Sequence, residues 1–429
     1  MKPRGKTRMM RPFQTLYRNY IQPVRSFNHS ARLFLWMTII DGVIVSAWWL
    51  FFNFYILESG HSRDFLGMAN SMPSIAGLFL GIPIGRLSDR IGRKPAILLG
   101  IGGATIMMLV QITTRQPFII LAAAFLTGVF NMLFIVSQAP LMVRLTDSEN
   151  RTLLFSLNYG LATISGAVGN LFAGQLPALF GSILNVQATS ATAYQSVLVT
   201  AILLGTTGMI PIWLMREPET RQATPEPAST GACHSSGLVR MTVKMATPNV
   251  LIGFGAAILI PYMNVFFKDQ FAISDKLLGT MFSLSSLMIG VGSLIGPQLA
   301  IRLGGKVRAV VFTQFSSLVF LMLIGFSPFY WLAGIGFLMR TMLMNMAQPL
   351  YSAFCMERVP ERDQGLVNSV LNISWQLGWS VGPYISGLVQ ENFGFTPLFL
   401  ATGGLYLVAI LTMWTFFQKA ERPLQVVPV

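Results

Sequence analysis

The chain reads as an all-α membrane protein: twelve transmembrane helices in two six-helix bundles related by pseudo-two-fold symmetry. Three observations predict this. The 429 residues are 53% hydrophobic and only 11% charged, whereas soluble domains carry about 25% charged residues. The apolar residues gather in blocks of about 20 or more, the length needed to cross a hydrocarbon core of about 30 Å as a helix. The blocks fall into two sets of six that share residues at a fixed spacing.

The first six blocks run near 33–57, 65–84, 95–114, 117–142, 153–180 and 194–215. The second six run near 247–268, 277–301, 307–327, 329–355, 365–390 and 395–418. Between them, residues 216–246 contain EPETRQATPEPASTGACHSSG, rich in Pro, Ser, Thr and charge, and read as a flexible linker. The expected organisation is therefore a basic tail (1–32), an N-terminal bundle (33–215), the linker (216–246), a C-terminal bundle (247–418) and a short tail (419–429).

Charge sets the orientation. Residues 1–32 hold Lys2, Arg4, Lys6, Arg8, Arg11, Arg18, Arg25 and Arg32 and no acid. With both termini in the cytoplasm, the outer loops hold only Arg63, Arg115, Lys268 and Lys276, as the positive-inside rule requires. The basic tail then lies against anionic headgroups. The formal charge of +14 is distributed by topology, so nucleic acid is not an expected partner. Cys233 and Cys355 fall on the cytoplasmic, reducing side, where no structural disulfide is expected. His29, His61 and His234 lie in tails or loops, and no metal-ligand spacing appears.

The halves repeat each other. Phe54, Ser62, Leu66 and Gly67 match Phe266, Ser274, Leu278 and Gly279 at an offset of 212. Ser156, Gly169, Gly174 and Gly181 match Ser369, Gly382, Gly387 and Gly394 at an offset of 213. Tandem repeats related by an axis along the membrane normal are one of the transporter plans.

Between blocks 2 and 3 stands GRLSDRIGRK, residues 85–94. Gly85, Leu87, Asp89, Arg90, Gly92, Arg93 and Lys94 fit the signature loop of the major facilitator superfamily, which this sequence resembles along its whole length. A degenerate second copy places Arg302, Gly304 and Lys306 opposite Arg90, Gly92 and Lys94, with Ile301 where the acid would be. From the residues alone, Gly85 permits close helix approach, Gly92 a tight turn, and the basic cluster anchors the loop at a headgroup layer. The resemblance adds a latch: Asp89 would face the start of helix 11 near Gln364 and Gly365, with Arg362 or Arg144 beside it, and hold the cytoplasmic side closed. GWSVGPYISG, residues 378–387, resembles an antiporter pattern of the family but sits on helix 11. Its counterpart on helix 5, SGAVGNLFAG, lacks the Pro, and Ala124 stands where a helix 4 Arg would be. Both stretches read as close packing by small residues.

Two ionisable side chains fall deep in the blocks, Asp41 and Arg340. Each costs at least about 2.5–3.5 kcal/mol at a helix centre. Asp41 is about eight residues from the cytoplasmic end and Arg340 about eleven from the outer end, roughly 12 and 16 Å at 1.5 Å per residue. The resemblance implies that helices 1, 4, 7 and 10 line a central cavity, which puts both charges on cavity helices. Asp41 is then either a carboxylate held by local hydrogen bonds or the carrier of a coupling proton or cation. Arg340 is either a clamp on backbone carbonyls or a contact to substrate, and the two form a candidate coupling pair. Helical spacing adds Trp48, Asn131, Gln138, Tyr262, Asn264, Met344, Gln348 and Tyr351 to the candidate cavity wall.

The resemblance implies a secondary transporter working by alternating access in the cell (inner) membrane, multi-pass and monomeric. The apolar, Met-rich cavity with one acid points to a proton-coupled exporter of amphipathic drugs or metabolites. The alternative, resting on Arg340, is an organic-anion or sugar transporter or uniporter. A non-transporting receptor on the same fold is a third reading. No nucleotide loop or nucleophile motif is present, so neither an enzyme nor a cofactor is expected.

Overall fold

The computed structural model describes residues 27–216 and 236–418. The N-terminal half comprises α1 (His29–Glu58), α2 (Arg63–Ile91), α3 (Arg93–Thr113), α4 (Pro117–Leu145), α5 and α6. A two-residue turn divides α5 into Ser148–Ala173 and Leu176–Leu184, and another divides α6 into Ala191–Thr206 and Met209–Leu214. In the C-terminal half, α7 runs Ser236–Leu259, tightens into a 3-10 turn at Ile260–Tyr262, and resumes as Met263–Phe271. It is followed by α8 (Asp275–Arg302), α9 (Lys306–Phe326), α10 (Tyr330–Glu357), α11 (Glu361–Phe393) and α12 (Thr396–Phe417). No strand occurs among the described residues.

Several boundaries extend beyond the apolar blocks. The Asn28 side chain accepts the Ala31 amide at 2.7 Å and caps α1 four residues before the apolar run starts. The first turns of α7 lie inside the stretch that reads as linker, because SGLVRMTVKM is too polar to register as a membrane block yet helical nonetheless. Among the described residues, apolarity and length single out ten spans, and α10 and α11 are not among them. Both are long enough, at 28 and 33 residues. Their Asn, Gln and Arg side chains lower the mean, which marks them as helices facing protein and cavity as well as lipid. Large exposed apolar residues such as Phe118, Phe172, Leu203, Trp213 and Trp331 suit a surface solvated by lipid.

The buried core divides the molecule along its length. One continuous core at the end bearing residues 59–62 joins Leu50, Phe51 and Tyr194 of the N-terminal half to Tyr262, Phe266 and Phe399 of the C-terminal half. At the opposite end, the buried residues form separate cores, one around Phe34, Ile97 and Leu141 and another around Val310, Phe354 and Phe417. The halves are therefore sealed together at one end and parted at the other.

Two of the repeated glycine pairs, Gly67 with Gly279 and Gly174 with Gly387, sit where the halves cross. A methyl group at Gly67 of α2 would lie 2.5 Å from the Pro383 carbonyl and 2.9 Å from the Tyr384 Cα of α11. Gly279 of α8 stands in the same relation to α5, 2.5 Å from the Asn170 carbonyl and 2.7 Å from the Gly174 Cα. Gly174 and Gly387 complete the two crossings. Thus α2 with α11 and α5 with α8 form equivalent seams, and the sequence repeat is a repeat of contact points. Gly169 of α5 and Gly382 of α11 pack within their own halves, on Val43 and Ala257.

Candidate solute cavity

Between the halves lies a cavity of about 360 Å³, walled by Trp48, Trp49, Asn53 and Asn131 from one half and Trp375, Gln376 and Trp379 from the other. The Trp49 and Trp379 rings meet edge to face at 6.3 Å, and Trp48 stacks on Phe52 at 4.4 Å. A second compartment of about 210 Å³ opens behind Trp48 and Trp49, entirely within the N-terminal half. Asp41 lines it, with Met37, Met108 and Phe134 and the α6 turn at Gly205 and Gly208. Trp48, Trp49, Pro73, Thr127 and Asn131 border both compartments, so the space is continuous. Asp41 is the one charged side chain on either wall, and neither an ion pair nor a hydrogen bond engages it among the described residues. The α6 turn matters here: Gly205 and Gly208 leave room for Ile44 and Ile40 of α1, on the turns flanking Asp41.

The sealed end closes this space. The Asn53 amide donates to the Pro261 carbonyl at 2.6 Å and to Asn264 Oδ1 at 3.0 Å, and the Asn264 amide donates to the Leu50 carbonyl at 2.9 Å. The Tyr262 hydroxyl donates to the Pro383 carbonyl at 2.9 Å. Above these, Lys268 donates to Tyr194 and to Asp275 (2.7 Å), and its ammonium lies 4.5 Å from the Phe54 ring centroid. Arg63 pairs with Asp269 at 2.6 Å, and its backbone amide donates to Glu391. At the rim, His61 stacks on Phe65, and partial burial holds its pKa below the ordinary value.

The sequence model of the Major Facilitator Superfamily matches residues 34–251 and again 245–428. The chain belongs to the major facilitator superfamily. Among curated superfamily members it is 25% identical over 185 residues to the uncharacterized MFS-type transporter YhhS of Escherichia coli (strain K12), a match spanning 43% of each chain. It is 22% identical to the multidrug resistance protein MdtG of Proteus mirabilis (strain HI4320), over 81% of this chain and 85% of that one. Among solved structures, a bacterial homologue of the human lysosomal transporter Spinster superposes with a TM-score of 0.72 at 14% identity, covering 92% of this chain and 98% of that one.

The superfamily's signature loop lies at the open end. Gly92 takes φ +91° and, in the degenerate copy, Gly304 takes +74°, conformations that favour glycine in both turns. Asp89 is exposed and pairs with Arg93 one turn on, within its own half. Arg93 also donates to Ser88 at 2.8 Å, and Ser88 bonds Ser137 of α4. Lys94 donates to the Trp213 and Met215 carbonyls, tying the loop to the end of α6. Arg90 is exposed. Gly85, expected to admit a neighbouring helix, faces open space, as do Gly81 and Gly365. The latch partner Gln364 is turned to the Met356 and Val359 carbonyls, and the side chain of Arg362 lies outside the described residues.

The candidate residues are placed unequally. Trp48 and Asn131 join Asp41 on the cavity wall, while Gln348 and Tyr351 line a separate recess in the C-terminal half. Tyr262 and Asn264 are not on the wall. The 3-10 turn at Pro261 rotates them out of the α-helical phase and into the seal. Met344 packs at the margin of the main core, and Gln138 borders none of the compartments described here. Arg340 does not meet Asp41. It is buried in the C-terminal half, where its guanidinium donates to the Tyr406 hydroxyl at 2.8 Å, its carbonyl accepts from Ser317, and its Nε is left without a partner. Trp375, Gln376 and Trp379 face the cavity from α11, where the sequence drew attention to the glycines alone.

Proposed function

We propose that this superfamily transporter is a proton-coupled exporter of amphipathic drugs or metabolites, working by alternating access, with Asp41 carrying the coupling proton. The observation behind this is the unpartnered Asp41 carboxyl in an aromatic, Met-containing pocket that joins the central cavity. A carboxyl with no fixed partner is free to exchange a proton or hold a cationic group in turn, which is the requirement for coupling. The reading agrees with the multidrug resistance named for one relative. The organic-anion alternative draws less support, because Arg340 donates to Tyr406 within the C-terminal half. With both termini cytoplasmic, the parted end faces the cytoplasm, and the chain stands inward-facing in the inner membrane as a monomer.

The test is reconstitution in liposomes with a fluorescent amphipathic amine such as ethidium. Asp41→Asn should lose accumulation driven by a pH gradient while retaining substrate counterflow at zero gradient. Gradient-driven transport at the wild-type rate in Asp41→Asn would overturn the assignment.

A further inference from the structure

The C-terminal half holds a recess of about 230 Å³ that the coupling role of Asp41 does not use. Its wall is built from two helical stripes. Gln348 and Ser352 are one turn apart on α10, and Asn368, Asn372 and Trp375 follow one another at i, i+4 and i+7 on α11. Asn249 and Tyr351 also border the recess, but their polar groups are engaged by the Leu371 and Met245 carbonyls. The exposed side chains of Gln348, Ser352, Asn368 and Asn372 make no hydrogen bond within the described chain. Trp375 faces this recess and the central cavity at once, and its ring lies 6.5 Å from Trp379.

The chemistry of this wall is selective. It carries no charged side chain, so an anion finds no cation there and a cation no carboxylate. Each carboxamide offers two donors and an acceptor with two lone pairs. Such groups are best matched by a neutral ligand that donates and accepts from adjacent atoms. The Trp375 indole offers a flat apolar face alongside them.

Resting on the reading that the cavity binds solute, we infer that Gln348, Ser352, Asn368 and Asn372 beside Trp375 form a second subsite, which takes an uncharged ring bearing hydroxyl or carboxamide groups. The two halves then recognise different ends of one solute: a cationic or protonatable end at Asp41 and a neutral hydrogen-bonding ring in the C-terminal half. An amphipathic solute gains selectivity this way, because a ligand lacking the ring's polar groups leaves nothing for the carboxamides to bind.

Calorimetric titration of the full chain in nanodiscs tests this with three probes. Phenyl β-glucoside supplies hydroxyls, benzamide a carboxamide, and benzyltrimethylammonium a cation with neither. At least one neutral probe should bind the wild-type protein, and Asn368→Ala/Asn372→Ala should weaken it at least tenfold with benzyltrimethylammonium affinity unchanged. Gln348→Met, on the other helix, provides a second variant should the first not fold. The neutral probe that binds tells hydroxyl from carboxamide recognition. Unaltered affinity for both neutral probes in the variants, or no binding of either to the wild type, overturns the subsite. Absence of benzyltrimethylammonium binding alone counts against the Asp41 reading and leaves the subsite supported.

Discussion

The two glycine crossings set the balance between the sealed and unsealed states, and one methyl group should tip it. In Gly67→Ala the added carbon would stand 2.5 Å from the Pro383 carbonyl and 2.9 Å from the Tyr384 Cα. Both neighbours are backbone, so relief requires α2 and α11 to separate. Overpacking of this kind costs about 1–3 kcal/mol. At 1.4 kcal/mol per tenfold, the sealed population should fall by roughly five- to 150-fold relative to states in which the seam is open. Gly279→Ala meets Asn170 and Gly174 at the other seam and shares no partner with Gly67, so the two effects should add. Gly85→Ala and Gly365→Ala, with nothing packed against them, should leave the sealed population undiminished. Spin labels at Ser59 and Lys276, with Cys233 and Cys355 replaced, report the separation across the sealed end by electron–electron double resonance. Gly67→Ala should enlarge the long-distance population. A folded variant with the wild-type distance distribution would refute the argument that these glycines govern the seal.

Three further outcomes are expected. Tyr406→Phe strips Arg340 of its side-chain hydrogen bond and should cost about 1.5–3 kcal/mol in thermal or denaturant stability, with strong non-additivity in the double variant with Arg340→Met; Asp41→Asn with Arg340→Met should be additive, and coupling between that pair would contradict the geometry. Lys268→Met leaves Asp275 facing Tyr194 without its cation and should loosen the seal by several-fold, seen as faster alkylation of a cysteine at Ser74 on the cavity wall, whereas unchanged alkylation would show that the aromatic and amide contacts suffice. Asp89→Asn should raise the inward-facing fraction if Asp89 closes the opposite end in the other state, and unchanged distances across that end would remove the latch role.

The fold was legible because lipid leaves few choices. Blocks such as 117–142, with no charge and a full membrane length, have one stable conformation in hydrocarbon, and the Lys and Arg of the loops orient them. The matched glycines carried information about contact as well as ancestry, since a seam between two backbones tolerates no side chain. The site was less legible. Arg340, Asn345 and Gln348 are scattered among the apolar residues of α10, and nothing in that pattern reveals that Arg340 turns toward Tyr406, 66 residues further on. Tyr262 and Asn264 were misplaced for a local reason, the 3-10 turn that Pro261 introduces. A usable signal was present on α11: Asn368, Asn372, Trp375 and Trp379 recur on one face of a span too polar to be lipid-facing all round.

The position of the seams also has a mechanical consequence. Gly67 lies near one tip of α2 and Asp89 near the other, about 22 residues or roughly 33 Å of helix away at 1.5 Å per residue. In alternating access the crossing would act as a fulcrum with one short arm and one long arm. A tilt of about 10° there swings the far loop by roughly 6 Å, taking that helix length as the lever. Pro73 and Pro83 interrupt the hydrogen-bond ladder along that arm and let it flex as it swings. A small change of tilt at the crossing would thereby be geared up to an aperture on the scale of an organic molecule.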